Sequence, residues 1–198
     1  MPAKRPFSLT GLPSGFTYRP EFLTEIEESV LLLTIEKLNF AAFDFHGYKA
    51  KRRVVEYGWE YNFETREATA VNPIPDFLLP LRDRAAALAE ITPEHFVEAV
   101  VTEYPAGAPI GWHRDVPHFE TIIGISLGGS CRMRFKPYKS GGGIVSIVLE
   151  PRSAYVIRGD ARWKYQHSIP AVEKLRYSIT FRTLRVVLDK RVKTEPAA

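Results

Sequence analysis

Sulfur-containing residues are scarce in this chain, which has one cysteine, Cys131, and two methionines among 198 residues. A single cysteine excludes an internal disulfide and is typical of a protein kept in a reducing compartment. Cys131 lies in a short run with strand character, so we interpret it as a buried structural thiol rather than a nucleophile. The fold must therefore be stabilised without disulfide crosslinks.

Long apolar runs are also missing. No segment approaches the roughly 18 consecutive apolar residues that cross a membrane, and the first residues, Met1 to Phe7, lack the apolar core of a signal peptide. Hydrophobic residues make up 45% of the chain and charged residues 25%, an ordinary balance for a globular protein of this size. We expect a cytoplasmic protein with no membrane partner, and a monomer.

The charge balance is mildly basic, with 27 lysines and arginines against 23 acidic residues and a net charge of +4. A basic balance favours an anionic partner without identifying one.

The order of prolines and apolar residues predicts one domain with short extensions. Residues 1–16 are broken by prolines and predict an extended arm, residues 17–189 predict a single domain, and residues 190–198 predict a tail.

Two helices are expected near the start of the domain. Apolar residues recur at helical spacing from Pro20 to Leu38, which predicts a first helix there. Its predicted inner stripe consists of Phe22, Ile26, Val30 and Leu33. Glu21, Glu25 and Glu28 are predicted to face water or to favour the positive N-terminal end of the helix. A second helix is expected after Asp76, which we interpret as its N-cap, with Pro80 in the first turn.

Short strand-like runs dominate the rest of the chain. Short strands and a loop are expected between Phe40 and Val55. Six further strands are predicted at Phe96 to Tyr104, Thr121 to Leu127, Cys131 to Lys136, Ile144 to Leu149, Ser153 to Arg158, and Leu175 to Leu184. The glycine-rich turns between them favour an antiparallel sandwich over alternating strand and helix units.

Three residues have the chemistry of a metal site. His113 and Asp115 are two residues apart and would project from the same side of an extended chain, and His167 would reach them through folding. Two imidazoles and one carboxylate form the facial triad of non-heme Fe(II) oxygenases. A His-x-Asp tripeptide alone is weak support, because an exposed pair is its common alternative.

Two arginines, Arg176 and Arg182, are separated by an even number of residues and would share one face of a strand with Ser178 and Thr180. The rise of a strand places their α-carbons roughly 20 Å apart. That distance exceeds the length of a small diacid, so spacing alone does not assign both arginines to one ligand.

These motifs together resemble the AlkB family of 2-oxoglutarate-dependent dioxygenases. The family pattern is His-x-Asp, a distant His, and Arg-x-Asn/Ser-x-Thr-x-Arg, and Arg176-Tyr-Ser-Ile-Thr-Phe-Arg182 matches its last part. The run Tyr104-Pro-Ala-Gly-Ala-Pro-Ile-Gly-Trp-His113 and the strand-like segment from Glu120 to Gly128 match as well. The resemblance covers about Phe40 to Leu184. With the strand pattern it implies an α+β, mainly β fold, a double-stranded β-helix or jelly roll whose core is buttressed by the N-terminal helices.

The resemblance also implies the cofactors and the role of each matching residue. Fe(II) would be held by His113, Asp115 and His167, with 2-oxoglutarate and O2 as co-substrates. Tyr104 and Arg176 would bind the distal carboxylate of 2-oxoglutarate, and Arg182 would support its keto-acid end and Asp115. Thr102 and Ser178 stand near that carboxylate where many members have Asn, and both keep a hydrogen-bonding group.

A segment of about residues 46–66 mixes basic and aromatic residues and resembles the nucleotide-recognition lid of the family. Basic groups there would neutralise phosphates while aromatic rings stack on a base. The predicted substrate contacts are Arg53, Tyr57, Trp59 and Tyr61. The alternative is that Tyr57 and Trp59 are core aromatics and the basic run is a solvated loop.

The resemblance implies Fe(II)- and 2-oxoglutarate-dependent dealkylation of N-alkylated nucleobases in DNA or RNA, which would be the partner. Succinate, CO2 and an aldehyde would be released. An alternative is an oxygenase acting on a protein side chain or a small methylated molecule. A nucleic-acid-binding module in which metal and keto acid are only structural is a further hypothesis, which the intact triad and arginines oppose.

Overall fold

The protein is built from two antiparallel β-sheets and few helices, as seen in a computed structural model that describes residues 11–45, 48–62, 67–70, 72–139 and 141–185. Most of the predicted arm and all of the predicted tail lie outside these residues. So do His46 and residues 63–66 of the predicted lid. No helix of the described part is long and apolar enough to cross a membrane.

The larger sheet has eight strands. In chain order they are β1 (Phe16–Arg19), β2 (Ala41–Phe45), β3 (Tyr48–Asn62), β4 (Glu67–Ala70), β5 (Phe96–Tyr104), β7 (Phe119–Gly128), β10 (Ser153–Ile157) and β12 (Arg176–Leu184). Their spatial order is β1-β10-β7-β12-β5-β3-β2, and β4 pairs with β3. The central strand β12 therefore lies between β7 and β5.

The smaller sheet has four strands, which are β6 (Ile110–His113), β8 (Cys131–Pro137), β9 (Val145–Leu149) and β11 (Tyr165–Ile169). Their spatial order is β6-β11-β8-β9. The prediction missed β6 and β11, since Gly111 and the polar residues of β11 weaken the alternation that marks a strand. Both strands carry a predicted metal ligand.

The two faces of the larger sheet bury two separate apolar clusters. On β7, Ile123, Ile125 and Leu127 face the helices, whereas Ile122 faces the smaller sheet. This alternation follows from the two-residue period of a strand. The functional cavity lies on the side of the second cluster, between the sheets.

Helix α1 (Glu25–Ile35) is shorter than the predicted Pro20 to Leu38, and its N-cap is Thr24, which forms a capping box with Glu27. The predicted inner stripe is wrong for three of its four residues, whereas Phe22, which precedes the helix, packs against the apolar cluster. Ile26, Val30 and Leu33 are 78%, 59% and 62% exposed, and Ile35 is buried instead.

The burial of Glu28 explains why α1 turns a different face to the core than the one predicted. Its carboxylate accepts hydrogen bonds from the backbone N–H of Gly128 at 2.9 Å and from Arg152 at 3.2 Å. A buried carboxylate with two donors is well accommodated, so Glu28 turns inward rather than facing water as predicted.

The second helical segment begins with a 3-10 turn, Asp76–Leu78, and continues as α2 (Leu79–Ala89). Pro80 lies in the first turn of α2, as predicted. Asp76 is not the N-cap, because it lies inside the 3-10 turn, whose N-cap is Pro75, and the N-cap of α2 is Leu78. A third, short helix, α3 (Gly159–Trp163), precedes β11.

Candidate active site

A cavity of about 420 Å³ lies between the two sheets and is lined on one side by β3. Its walls come from both sheets and from the loop after β6. Lining residues include Thr102, Tyr104, Trp112, His113, Asp115, Tyr155, His167 and Arg182. Most of the residues predicted for metal and co-substrate thus share one space.

The two histidines are brought together by strand pairing. His113 ends β6 and is the direct cross-strand partner of His167 on β11, with ring centroids 4.3 Å apart. The carbonyl of Gly111 lies 3.0 Å from Nδ1 of His113, which fits an N–H donor there and leaves Nε2 for a metal. The pairing of β6 with β11 thus brings together two histidines that are more than 50 residues apart in the sequence.

Asp115 completes the triad from the loop that follows β6. Its Oδ2 lies 3.5 Å from Nε2 of His167. The donor atoms of His113, Asp115 and His167 all lie within 4.8 Å of one another. This separation suits three ligands on one face of a single ion.

Arg182 orients the carboxylate of Asp115. Its Nε and Nη2 both donate to Oδ1 of Asp115, at 3.3 and 3.2 Å, and its Nη1 pairs with Glu98. Oδ1 is thereby occupied, and Oδ2 is the oxygen left to face the histidines. The spacing in the sequence correctly predicted which face of β12 carries Arg182, but it did not reveal the partner Glu98. Glu98 lies on β5, on the same face of the strand as Thr102 and Tyr104.

The charge states in the site suit metal binding. Burial is the largest single influence on Asp115 and opposes its ionisation, but the positive charges around it, with Arg182 the strongest, together outweigh burial and hold the pKa of Asp115 well below its usual range. Burial, reinforced by nearby His113, lowers the pKa of His167 to about 3. An ionised carboxylate and a neutral imidazole are the forms that bind a divalent metal.

Unsatisfied buried atoms test whether the site fits the implied groups. Oδ2 of Asp115 is buried and has no hydrogen-bond donor among the described residues. Buried polar atoms normally have partners, so an orphaned oxygen facing two imidazole nitrogens is what a metal-ligand position requires. The donor set of two nitrogens and one oxygen fits Fe(II).

Arg176 provides a second such test at the other end of β12. Its side chain is fully buried, Nε donates to Ser126 at 3.3 Å, and the guanidinium lies 4.7 Å from the ring of Tyr104. Neither Nη1 nor Nη2 has a hydrogen-bond partner of normal geometry within the described chain. A buried guanidinium with two free donors fits a carboxylate ligand.

The remaining predicted co-substrate residues lie nearby. Thr102 lines the cavity and is the cross-strand partner of Ser178, which is buried but does not line it. Tyr155, which the sequence analysis missed, lines the cavity from β10. Its hydroxyl has a pKa raised by burial and therefore stays protonated at neutral pH.

Strand β3 turns one face to the cavity, and the predicted substrate residues Arg53 and Tyr57 lie on its other face. Ala50, Arg52, Val54 and Glu56 line the cavity, whereas Arg53 and Tyr57 face the other way. Arg53 pairs with Glu103 at 2.5 Å, and Tyr57 packs against the cluster under the helices. The placement of Arg53 and Tyr57 does not support a substrate contact. The side chains of Trp59 and Tyr61 lie outside what the structure describes.

Arg162, on α3, is a further residue that sequence reasoning missed. It is 2% exposed, and its Nη2 donates to the backbone carbonyls of Asp115, Val116 and Phe119 at 3.1, 2.7 and 2.9 Å. These bonds fix the loop that carries Asp115. No local motif marks such a residue, because its partners are more than 40 positions away.

The two sheets and the His-Asp-His cluster define a mononuclear non-heme metal oxygenase with a keto-acid site. A family described as the 2OG-Fe(II) oxygenase superfamily matches residues 38–187, and the chain belongs to this superfamily. Within it, the chain is an AlkB-family dioxygenase that uses Fe(II), 2-oxoglutarate and O2.

Similar proteins support this placement. The chain is 28% identical over 200 residues to the alkylated DNA repair protein ALKBH8 homolog of Arabidopsis thaliana, covering 87% of this chain and 56% of that protein. It is 29% identical to protein L905 of Acanthamoeba polyphaga mimivirus, covering 91% and 88%. It is 28% identical to the mouse tRNA (carboxymethyluridine(34)-5-O)-methyltransferase ALKBH8, covering 81% and 25%. The chain thus spans about half of the plant protein and a quarter of the mouse protein.

A solved structure, that of OsALKBH1, superposes with a TM-score of 0.70 at 15% identity, covering 85% of this chain and 96% of that one. At this level of identity the likeness concerns the fold.

Proposed function

We propose that this chain oxidatively dealkylates N-alkylated nucleobases in DNA or RNA, releasing succinate, CO2 and an aldehyde. The observation that carries the proposal is a cavity with the His113, Asp115 and His167 cluster inside it and cationic and aromatic residues along its walls. Two relatives bear names that refer to alkylated DNA and to tRNA. The methyltransferase activity in the mouse name is not proposed for this chain.

Fe(II), when bound with 2-oxoglutarate and O2, supplies the oxidant that hydroxylates an N-alkyl carbon. His113, Asp115 and His167 would hold the iron. Arg176 and the Tyr104 hydroxyl would anchor the distal carboxylate of the keto acid, and Arg182 would keep Asp115 aligned. An adduct of the alkyl carbon with a hydroxyl group then releases an aldehyde and restores the base.

The cavity walls would position the base and exclude water. Trp112 offers an aromatic face, and Arg52 and Glu56 on β3 offer donors and acceptors for a base edge. A volume of about 420 Å³ lies within the range of small-ligand sites. Arg52 and Glu56 replace Arg53 and Tyr57 as the substrate contacts that we propose.

The fold supports this arrangement. We propose that the two antiparallel sheets form a double-stranded β-helix whose larger sheet is supported by α1 and α2, since Ile35 of α1 and Leu81 of α2 pack in one cluster with residues of β5, β7, β10 and β12. A cytoplasmic monomer remains our prediction.

The test is turnover of methylated oligonucleotides. Protein purified without oxygen is mixed with Fe(II), 2-oxoglutarate, O2 and a panel of methylated DNA and RNA strands, and the strands are weighed by mass spectrometry beside a His113→Ala control. Loss of one methyl mass in the wild type alone is expected. Succinate formation without any loss of mass from the strands would overturn the nucleic-acid substrate and favour a protein side chain or a small methylated molecule.

A further inference from the structure

The four strands of the smaller sheet contain no aspartate or glutamate. Strand β8 instead carries Arg132, Arg134 and Lys136 at alternating positions. The residues between them, Met133 and Phe135, are buried in the cluster between the sheets. The three cations therefore project from the outer face, away from the sandwich interior.

These cations are not neutralised by acidic partners. Among the residues that the structure describes, none of the three forms an ion pair. Arg134 donates to Ser168 at 3.1 Å and Arg132 to Ser146 at 3.3 Å, both neutral hydroxyls. Elsewhere the pattern differs, since Arg152 and Arg53 each pair with a carboxylate. The outer face of this sheet consequently keeps its positive charge.

Trp112 connects this face to the cavity. Its ring is contacted by Lys136, with Nζ 4.5 Å from the ring centroid, and by Arg134, with Cζ 5.0 Å from it. Trp112 also lines the cavity, as does Arg114, whose guanidinium stacks 3.6 Å over the ring of Tyr138. We call the set Trp112, Arg114, Arg132, Arg134, Lys136 and Tyr138 the outer cationic surface.

We propose that the outer cationic surface binds the phosphodiester backbone of a single nucleic-acid strand whose target base enters the cavity. The inference rests on the proposed function and adds the path of the strand across the protein. Cations that track a backbone beside aromatic rings that stack on bases are the general means of holding single strands. A duplex would hide the base faces that Trp112 and Tyr138 could stack on.

The test is the salt dependence of binding to a labelled strand of about 10 nucleotides, within the usual site size of a single-strand binder. Fluorescence anisotropy gives Kd for RNA and DNA strands in separate arms. Arg132→Gln and Lys136→Gln each remove one charge from the surface. Lys37→Gln removes one charge from an exposed residue just after α1, on the other side of the larger sheet, and serves as the matched control.

The logarithm of the association constant falls as the logarithm of the salt concentration rises. Each surface variant should make this negative slope shallower by about 0.7, the value for one single-strand phosphate contact, and should weaken binding roughly five-fold at about 0.1 M salt. Lys37→Gln should match the wild type. Trp112→Leu should weaken binding by about five-fold or more with an unchanged slope, because stacking releases no counterions. Thermal unfolding checks that each variant is folded.

Two failures can be told apart. A wild type that oxidises methylated strands, with surface variants that keep its Kd and salt slope, would overturn the strand path and leave the proposed function intact. A wild type that neither binds nor oxidises any strand would overturn both.

Discussion

Gly124 on β7 lies directly against the aromatic ring of Tyr155, its cross-strand partner on β10. A β-carbon built at residue 124 would overlap the ring and its hydroxyl oxygen, far inside van der Waals contact. Because Tyr155 is buried and lines the cavity, its ring has little room to shift without entering the space beside Asp115 and Arg176. Glycine at 124 therefore shapes the co-substrate end of the site.

Replacing Gly124 with alanine should push the Tyr155 ring into the cavity. We expect a loss of about 1–3 kcal/mol in the free energy of unfolding, as for other overpacked cores, together with a raised KM for 2-oxoglutarate. Gly143→Ala is the matched control, since nothing lies within 4 Å of a β-carbon there. Denaturant unfolding and succinate formation measure the two effects, and a variant with wild-type stability and KM would refute the packing argument.

The sequence predicted well what depends on local pattern. Strand β5 was predicted at its observed bounds, Phe96–Tyr104, because most of its residues are β-branched or aromatic and have high strand propensity. The triad was predicted because His113, Asp115 and His167 match a family motif. Both features depend only on neighbouring residues or on the spacing of a known motif.

What depended on distant partners was not predictable. Glu28 is buried only because Gly128 and Arg152 donate to it, so helical periodicity placed the wrong face of α1 inside. The register of β3 decides that Arg52 rather than Arg53 faces the cavity. Two adjacent basic residues give no local signal that distinguishes the faces.

Arg176→Lys tests the buried guanidinium as the carboxylate anchor. A lysine keeps the charge but loses the fork that grips two oxygens, so 2-oxoglutarate should bind at least about 10-fold more weakly, as expected for loss of a charge-assisted hydrogen bond. Arg82→Lys is the matched control, since Arg82 on α2 is partly buried and pairs with its neighbour Asp83 at 2.9 Å. The shift in unfolding temperature on adding 2-oxoglutarate, with Mn²⁺ in place of iron, reports binding without turnover. An unchanged shift in Arg176→Lys would exclude the anchor.

Arg162→Ala should loosen the loop that carries Asp115. Three backbone carbonyls lose their shared donor, which we expect to cost about 2–4 kcal/mol of stability, and the affinity for Mn²⁺ should fall about 10- to 100-fold, as for other groups that support metal ligands. Arg162→Lys should restore part of both.

Arg158→Ala separates positioning from general stability. Arg158 also donates to a backbone carbonyl, that of Ala89, at 3.1 Å, but on the helix side of the larger sheet. Its loss should lower stability while the Mn²⁺ affinity stays at the wild-type value. Equal losses of metal affinity in Arg158→Ala and Arg162→Ala would show that Arg162 acts only through overall folding.

The adjacent residues Arg52 and Arg53 offer the sharpest test of which face of β3 meets the substrate. Arg52 lines the cavity, whereas Arg53 is 51% exposed and pairs with Glu103 on the opposite face. Arg52→Gln should raise KM for a methylated strand by roughly 10-fold, the effect of one hydrogen bond from a charged group. Arg53→Gln should leave KM unchanged and cost less than about 1 kcal/mol of stability, as for exposed ion pairs. Both variants are read by mass spectrometry of the strand at several concentrations. A raised KM in Arg53→Gln alone would assign the substrate contact to Arg53 instead of Arg52. It would also show that the opposite face of β3 meets the strand when nucleic acid binds.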